Sequence, residues 1–332
     1  MKVADLSTPA LLIDADALEH NLTAMAEAHP GGRLRPHVKA HKCTSLAAQQ
    51  RVHGHRSFTC ATPREVIGMA DAGLGDDLLL ANEVVDHTRL SAMAGLQDDA
   101  LITVAVDSQE TIDAAARAGL RHVLIDVNVG LRRCGCKPSD AGHLADQARA
   151  KGLVVRGVMG YEGHVVGLDD GETRARLCEE SMQLLLAAHK LTGGDLISAG
   201  GTGTYACNTW ANEIQAGSYV LMDTTYAKLG LPFRQALSVL TTVISVSAAF
   251  AVGNCGLKSL GMDHGNPGMD GAMVLFCSDE HITFIPEQPA KVGDLVRVLP
   301  AHVDPTIAYH ERMHVISGDE VLDTWEVDLR GW

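Results

Sequence analysis

Cations are scarce in this chain: 27 lysines and arginines face 41 aspartates and glutamates, for a formal net charge of −14. That deficit argues against a nucleic-acid partner and makes contact with an anionic membrane repulsive. No uninterrupted apolar run approaches the length of a membrane span. A secretory apolar region is missing from the first twenty residues, which carry Asp5, Asp14, Asp16 and Glu19 instead. No internal repeat or low-complexity segment interrupts the chain. The eight cysteines show neither a disulfide framework nor a paired CxxC zinc site. The closest pair, Cys134 and Cys136, reads as two buried or half-buried thiols, and a reducing cytoplasm is the expected location.

What is present is an ordinary globular composition, 46% hydrophobic and 20% charged over 332 residues. That length accommodates one large barrel with a smaller domain. Thr8 to Asp14 forms a short apolar strand, and Asp14 or Asp16 can cap a helix over 17–28. Strand-like runs follow at 34–39, 57–61, 77–81, 102–106, 122–127, 154–161, 196–200 and 213–220. Helix-like runs lie between them at 43–52, 63–72, 83–94, 109–118, 139–150 and 172–191. Eight strands, most followed by a helix and most lacking polar alternation, fit a closed parallel barrel. A doubly wound open sheet is the competing arrangement.

Near residue 240 the pattern changes to short β-rich segments separated by turn residues, with Gly318-Asp319 as a hairpin turn. The expected architecture is therefore α/β: a (β/α)8 TIM-type barrel with a C-terminal all-β domain. The boundaries expected are 14–238 for the barrel, and 1–13 plus 239–332 for the β domain.

Barrel chemistry gathers at strand C-termini. Lys39 ends the first strand, within Arg35-Pro36-His37-Val38-Lys39-Ala40-His41-Lys42. A lysine there can form a Schiff base with an aldehyde cofactor, and Arg35, His37, His41 and Lys42 could lower its pKa by repulsion. Alone, the octet reads more simply as a solvated basic loop. Arg133 follows strand five, Tyr161, Glu162 and His164 end strand six, and Gly217-Ser218-Tyr219 ends strand eight.

Gly200-Gly201-Thr202-Gly203-Thr204 follows strand seven and suits a phosphate, with close backbone N–H groups and donating hydroxyls. Taken alone, such a loop is more often a turn. A Schiff-base lysine facing a phosphate loop describes a pyridoxal phosphate pocket. In the β domain, His302 and Asp304 stand two apart on what reads as an extended segment, so they point the same way and can share a divalent cation. A hydrogen-bonded structural pair has the same spacing and is the commoner case. Asp263-His264 and Asp279-Glu280-His281 suit turns or supporting contacts, and Asp223 suits a helix cap.

In order, TPALLID, RPHVKAHK, DVNVGLRRCG, GGTGT, GSYVLMD and PAHVDPT resemble the fold-type III pyridoxal phosphate enzymes. Within that group the chain is similar to the D-threonine aldolase and D-serine dehydratase family. The resemblance implies an alanine-racemase-like barrel and a homodimer with the active site at the interface. It makes Lys39 the Schiff-base lysine, and it puts Arg133 near the cofactor's phenolic oxygen and Tyr161 near its ring nitrogen. Gly201, Thr202, Gly203, Thr204, Gly217, Ser218 and Tyr219 would hold the phosphate. His302 and Asp304 fall on the family's metal positions, and His164 is the candidate base.

The activity implied is cleavage of β-hydroxy-D-amino acids, such as D-threonine or 3-hydroxy-D-aspartate, to glycine and an aldehyde. The alternative is a D-serine or 3-hydroxy-D-aspartate dehydratase releasing a 2-oxo acid and ammonia. A racemase and a non-catalytic pyridoxal phosphate protein rank lower. Dehydratase members tend to carry cysteine where Asp304 stands. The harder carboxylate admits manganese or magnesium beside zinc and leans toward the aldolase branch. The Tyr161–Gly167 segment differs from that of the D-threonine aldolases, so the base and the exact substrate stay open.

Overall fold

The computed structural model describes residues 1–332, which form two compact units. One comprises Met25–Lys39, Ala47–Gly217 and Gly331–Trp332; the other comprises Met1–Ala24, Ala40–Leu46 and Ser218–Arg330. No helix is long and apolar enough to cross a membrane.

The first unit is a TIM-like parallel barrel. Seven strands hydrogen-bond in chain order: Ser57–Cys60, Asp77–Leu80, Ile102–Val106, His122–Asp126, Val154–Met159, Leu196–Ala199 and Glu213–Ile214. Their apolar runs are buried on both faces, and Leu79, Ala105, Leu124 and Met159, one from each of four neighbouring strands, pack together. The eighth place, expected as a strand over 34–39, is filled by a segment that makes only isolated bridges, Leu34 to Ile214 and His37 to Thr59. Pro36 explains the interruption, because it has no N–H for the ladder, and the chain then turns through a 3₁₀ element at Val38–Ala40. The ring nevertheless closes through Arg35 N–H to Ile214 O at 2.9 Å and Thr59 N–H to Pro36 O at 2.9 Å. The last strand is also shorter than expected, ending at Ile214.

Helix boundaries follow their caps. Thr62 accepts from Glu65 N–H and Pro63 opens the helix Pro63–Asp71. The next helix, expected from residue 83, starts at His87 because Asp86 caps it by accepting from Arg89 N–H at 3.0 Å.

Arg35, expected among the cations around Lys39, is instead buried in the barrel with 1% of its side chain exposed. It donates to Glu213 at 2.8 Å and to Asp77 at 2.9 Å, and Asp77 also takes two hydrogen bonds from Arg156. Burial would lift the Asp77 carboxyl, but the hydrogen bonds from Arg156 and the charge of Arg35 outweigh it and hold the group at about 2. Asp77→Ala should therefore cost about 3 kcal/mol or more, since it strands buried guanidinium charge. Because the folded pKa is depressed, the stabilisation from Asp77 is present above the unfolded value of 3.8 and lost as pH falls through about 2. Thermal midpoints across that window check this: a variant with the wild-type acid profile would remove Asp77 from the account.

The second unit is a β sheet ordered Ala272–Cys277, Ile282–Pro286, Ala251–Gly253, Leu237–Val246, Ala10–Asp14, Arg312–Ser317, Glu320–Glu326. Leu295–Leu299 also pairs with Leu237–Val246. The N-terminal strand is thus interior to this sheet, antiparallel to Leu237–Val246 and parallel to Arg312–Ser317. Its Leu12 packs with Leu240 and Ile316. Asp14 caps the helix Ala15–Ala28 through Ala17 N–H at 2.9 Å.

The PAHVDPT segment is not extended. His302 is the N-cap of the helix Val303–Tyr309, with Asp304 and Pro305 in its first turn. Proline is tolerated there because those N–H groups have no helical partner. Asp223 caps Thr224–Ala227, as expected, and its other oxygen accepts from Val303 N–H at 3.1 Å. With Thr224 N–H on Pro300 O and the Thr225 hydroxyl on Ala301 O, it anchors the turn that carries His302.

Candidate active site

Lys39 lies half-buried in the 3₁₀ turn at the C-terminal end of the barrel's eighth segment, and its N–H donates to His37 Nδ1 at 3.4 Å. Arg133 lies on a loop that folds back on its own strand: Asn128 N–H bonds to Cys136 O, and Cys136 N–H to Asp126 O, both at 2.9 Å. Gly135 permits this return, with φ +100° and a position where a Cβ would fall 2.5 Å from Asn128 N. The loop sets the Arg133 guanidinium 5.6 Å from the centre of the Tyr161 ring.

Both residues line a small pocket with Asp126 and Cys134. Burial first, and then the neighbouring Glu83 carboxyl, raise Asp126 well above the usual carboxylate range. The same two causes push the Cys134 thiol up to about 12. As expected, Cys134 is half-buried and Cys136 buried.

Tyr161 also adjoins the glycine–threonine loop, since a Cβ on Gly201 would meet the ring at 3.4 Å. His164 is exposed and its ring lies over Gly130, within 2.6 Å of where a Cβ would stand. Gly203 is pressed against Val166, whose carbonyl oxygen would be 1.7 Å from a Cβ, so no other residue fits. Gly203 is buried and its N–H meets no acceptor in the chain. A buried backbone donor without a partner is costly unless a ligand supplies one, and a phosphate oxygen would. The loop thus fits the phosphate of the cofactor.

Glu162, which sequence reasoning left without a role, is fully buried and accepts from Thr204 Oγ1 at 2.8 Å. Only its place at a strand end signalled it. Gly217 is the last residue of the barrel unit's main stretch. Ser218 and Tyr219, in the 3₁₀ element Ser218–Val220 of the β unit, are buried, with the Tyr219 ring 5.6 Å from that of Phe233.

In the β unit, His302 Nδ1 lies 2.8 Å from Asp263 Oδ2, and the His264 ring stacks on His302 at 3.9 Å. Ligand atoms of Asp263, His264 and His302 all fall within 4.8 Å of one another. If Asp263 accepts the Nδ1 proton, Nε2 of His302 is left to bind a cation, the usual division of labour at metal-binding histidines. An imidazole nitrogen with nearby carboxylate oxygens fits a borderline or hard divalent ion. Asp304 follows two residues on, half-buried in the helix's first turn.

A parallel barrel with a lysine at a strand end, an arginine loop and a glycine–threonine loop, joined to a β unit, defines the alanine-racemase-like class of enzyme. The chain belongs to the alanine racemase N-terminal domain family, whose model matches residues 13–225, and a putative serine dehydratase domain matches residues 236–316. It is 34% identical to a D-threonine aldolase of an Arthrobacter species, over 99% of this chain and 94% of that protein. It is 32% identical to a 3-hydroxy-D-aspartate aldolase of Paracoccus denitrificans, over 100% and 94%. Among solved structures, a D-threonine aldolase from Filomicrobium marinum superposes with a TM-score of 0.94 at 33% identity, covering 99% of this chain and 97% of that one. These relatives are lyases, and this chain is an enzyme of that class. Pyridoxal phosphate is the cofactor expected for the family.

Proposed function

We propose that the protein is a pyridoxal phosphate- and divalent-metal-dependent aldolase that cleaves β-hydroxy-D-amino acids of the D-threonine or 3-hydroxy-D-aspartate type to glycine and an aldehyde. Full-length similarity to two aldolases carries this reading, with Asp304 supporting it as an oxygen donor.

Pyridoxal phosphate, when bound, supplies an electron sink for breaking a bond at the substrate's α-carbon. Lys39 would hold it covalently through the side-chain amine. Arg133, set over Tyr161, would neutralise the phenolic oxygen, and Tyr161 would line the ring near its nitrogen. Gly203 N–H and Thr202 would bind the phosphate. His302 and Asp304 would hold manganese, magnesium or zinc, with Asp263 orienting the imidazole. His164, exposed beside Gly130, would take the proton of the substrate hydroxyl, after which the Cα–Cβ bond opens.

A homodimer is the proposed working unit. Exposed apolar side chains on the β unit, Met273, Leu275, Phe276, Ile285, Val246 and Phe250, supply a surface that a second copy would cover. Eight free thiols suit a reducing cytoplasm.

The dehydratase reading is favoured by the serine dehydratase domain match over 236–316 and by a dehydratase among the full-length relatives. Product analysis separates the two. With D-threonine and 3-hydroxy-D-aspartate as substrates, glycine and an aldehyde should accumulate without ammonia. A 2-oxo acid with stoichiometric ammonia would replace the aldolase reading by the dehydratase one.

A further inference from the structure

The geometry points to Glu162 as the positioning residue of the phosphate loop: a buried acceptor that folds Gly200–Thr204 into a shape able to take a phosphate. This rests on the reading of that loop as the cofactor's phosphate site.

Four donors from separate parts of the barrel unit converge on this one carboxyl group. Gly200 N–H reaches Oε2 at 3.2 Å. The Thr204 hydroxyl, Asn208 Nδ2 and the Cys178 thiol reach Oε1 at 2.8, 3.1 and 3.7 Å. Cys178 belongs to the helix Gly171–Thr192, and Asn208 Oδ1 accepts from Ala211 N–H at 3.2 Å, so the cluster joins the loop to the elements on either side. The Thr204 hydroxyl also accepts from Gly201 N–H at 3.1 Å. Its single proton is therefore committed to Glu162, and it acts as an internal strut of the loop.

The consequence lies in which donors remain. Gly200 and Gly201 N–H are turned inward, onto Glu162 and the Thr204 hydroxyl, and Thr204 N–H bonds to Gly201 O at 3.1 Å. Gly203 N–H is left over, and Gly203 itself is fixed against Val166, which directly follows the turn closed by Val165 N–H on Glu162 O. A negative group near a phosphate repels it, so attraction cannot be the purpose of this residue. What a carboxylate offers is acceptor capacity at both oxygens, where an amide would turn an N–H₂ toward groups that are all donors.

The test compares two probes on the full-length chain: pyridoxal 5′-phosphate, and pyridoxal, which lacks the phosphate. After cofactor removal, each is titrated by absorbance into wild type and Glu162→Gln. In the variant, a donor stranded in a buried site should weaken pyridoxal phosphate binding by about tenfold or more, while pyridoxal binding changes less than about twofold. A merely structural role would weaken both alike.

If wild type prefers pyridoxal phosphate and Glu162→Gln keeps that preference, the positioning role is overturned. If wild type binds the two probes equally, the phosphate-loop reading itself fails, which is a different result. Should Glu162→Gln show no folded transition, Thr204→Val removes the hydroxyl strut at similar volume and is read by the same ratio. Thr204→Ser, which keeps the hydroxyl, should restore the wild-type ratio; equal ratios for valine and serine would overturn the proposal.

Discussion

Replacing Lys39 by alanine should lower turnover about a thousandfold or more, as expected for loss of a residue that makes and breaks covalent bonds in each cycle. The same change should abolish covalent retention of pyridoxal phosphate after borohydride treatment. In wild type, peptide mapping should find the reduced adduct on Lys39. The expectation follows from the lysine's place in the turn Val38–Ala40 at the end of the barrel's eighth segment, in the unit that carries the glycine–threonine loop. The lowered pKa such a lysine needs cannot come from Arg35, whose charge is consumed by Asp77 and Glu213. Label on Lys42, or full activity in Lys39→Ala, would remove the basis for the cofactor assignment.

Chelation should have an effect of comparable size, with a different signature. Removing the divalent ion, or replacing Asp304 by alanine, should abolish turnover and leave the cofactor's visible absorbance nearly intact. The proposed metal side chains belong to the β unit, and the residues proposed for the cofactor ring and its lysine belong to the barrel unit. A divalent ion, when bound, supplies a Lewis acid for the substrate hydroxyl, so its loss should stop bond cleavage without releasing the cofactor. Asp263→Asn should be milder, weakening metal affinity about 10- to 100-fold, because it disturbs only the partner that orients His302. Restoration by excess manganese in Asp263→Asn but not in Asp304→Ala would fit these separate roles. Turnover unaffected by chelator would return His302 and Asp304 to a structural pair.

Much of the barrel was legible because parallel strands buried on both faces are written as continuous apolar runs, as in Ile102–Val106. Segment 34–39 carried the same signal, but Pro36 denies it a regular ladder, and proline's effect depends on which neighbours would have accepted its N–H. The PAHVDPT segment was expected to be extended, yet it opens a helix, with Pro305 in the first turn, where its missing N–H costs nothing. The strand Ala10–Asp14 was visible as apolar, while its partners lie more than 220 residues away and carry no local mark.

The candidate site divides in the same way. Lys39, Arg133, Tyr161 and the glycine–threonine loop could be proposed from sequence because strand ends can be located by pattern and their residue types carry chemistry by themselves. Glu162 and Asp263 were not, because a carboxylate's role depends on which donors face it. For Glu162 these come from residues 178, 200, 204 and 208; for Asp263 the partner is His302. The sequence by itself determined the order of elements and the chemical groups available at their ends, since burial periodicity and side-chain type are local properties. Tertiary structure alone decided which charges are spent on one another, as Arg35 is on Asp77 and Glu213, and which polar groups are left without a partner in the chain, as Gly203 N–H is, because pairing depends on distances between residues far apart in the chain.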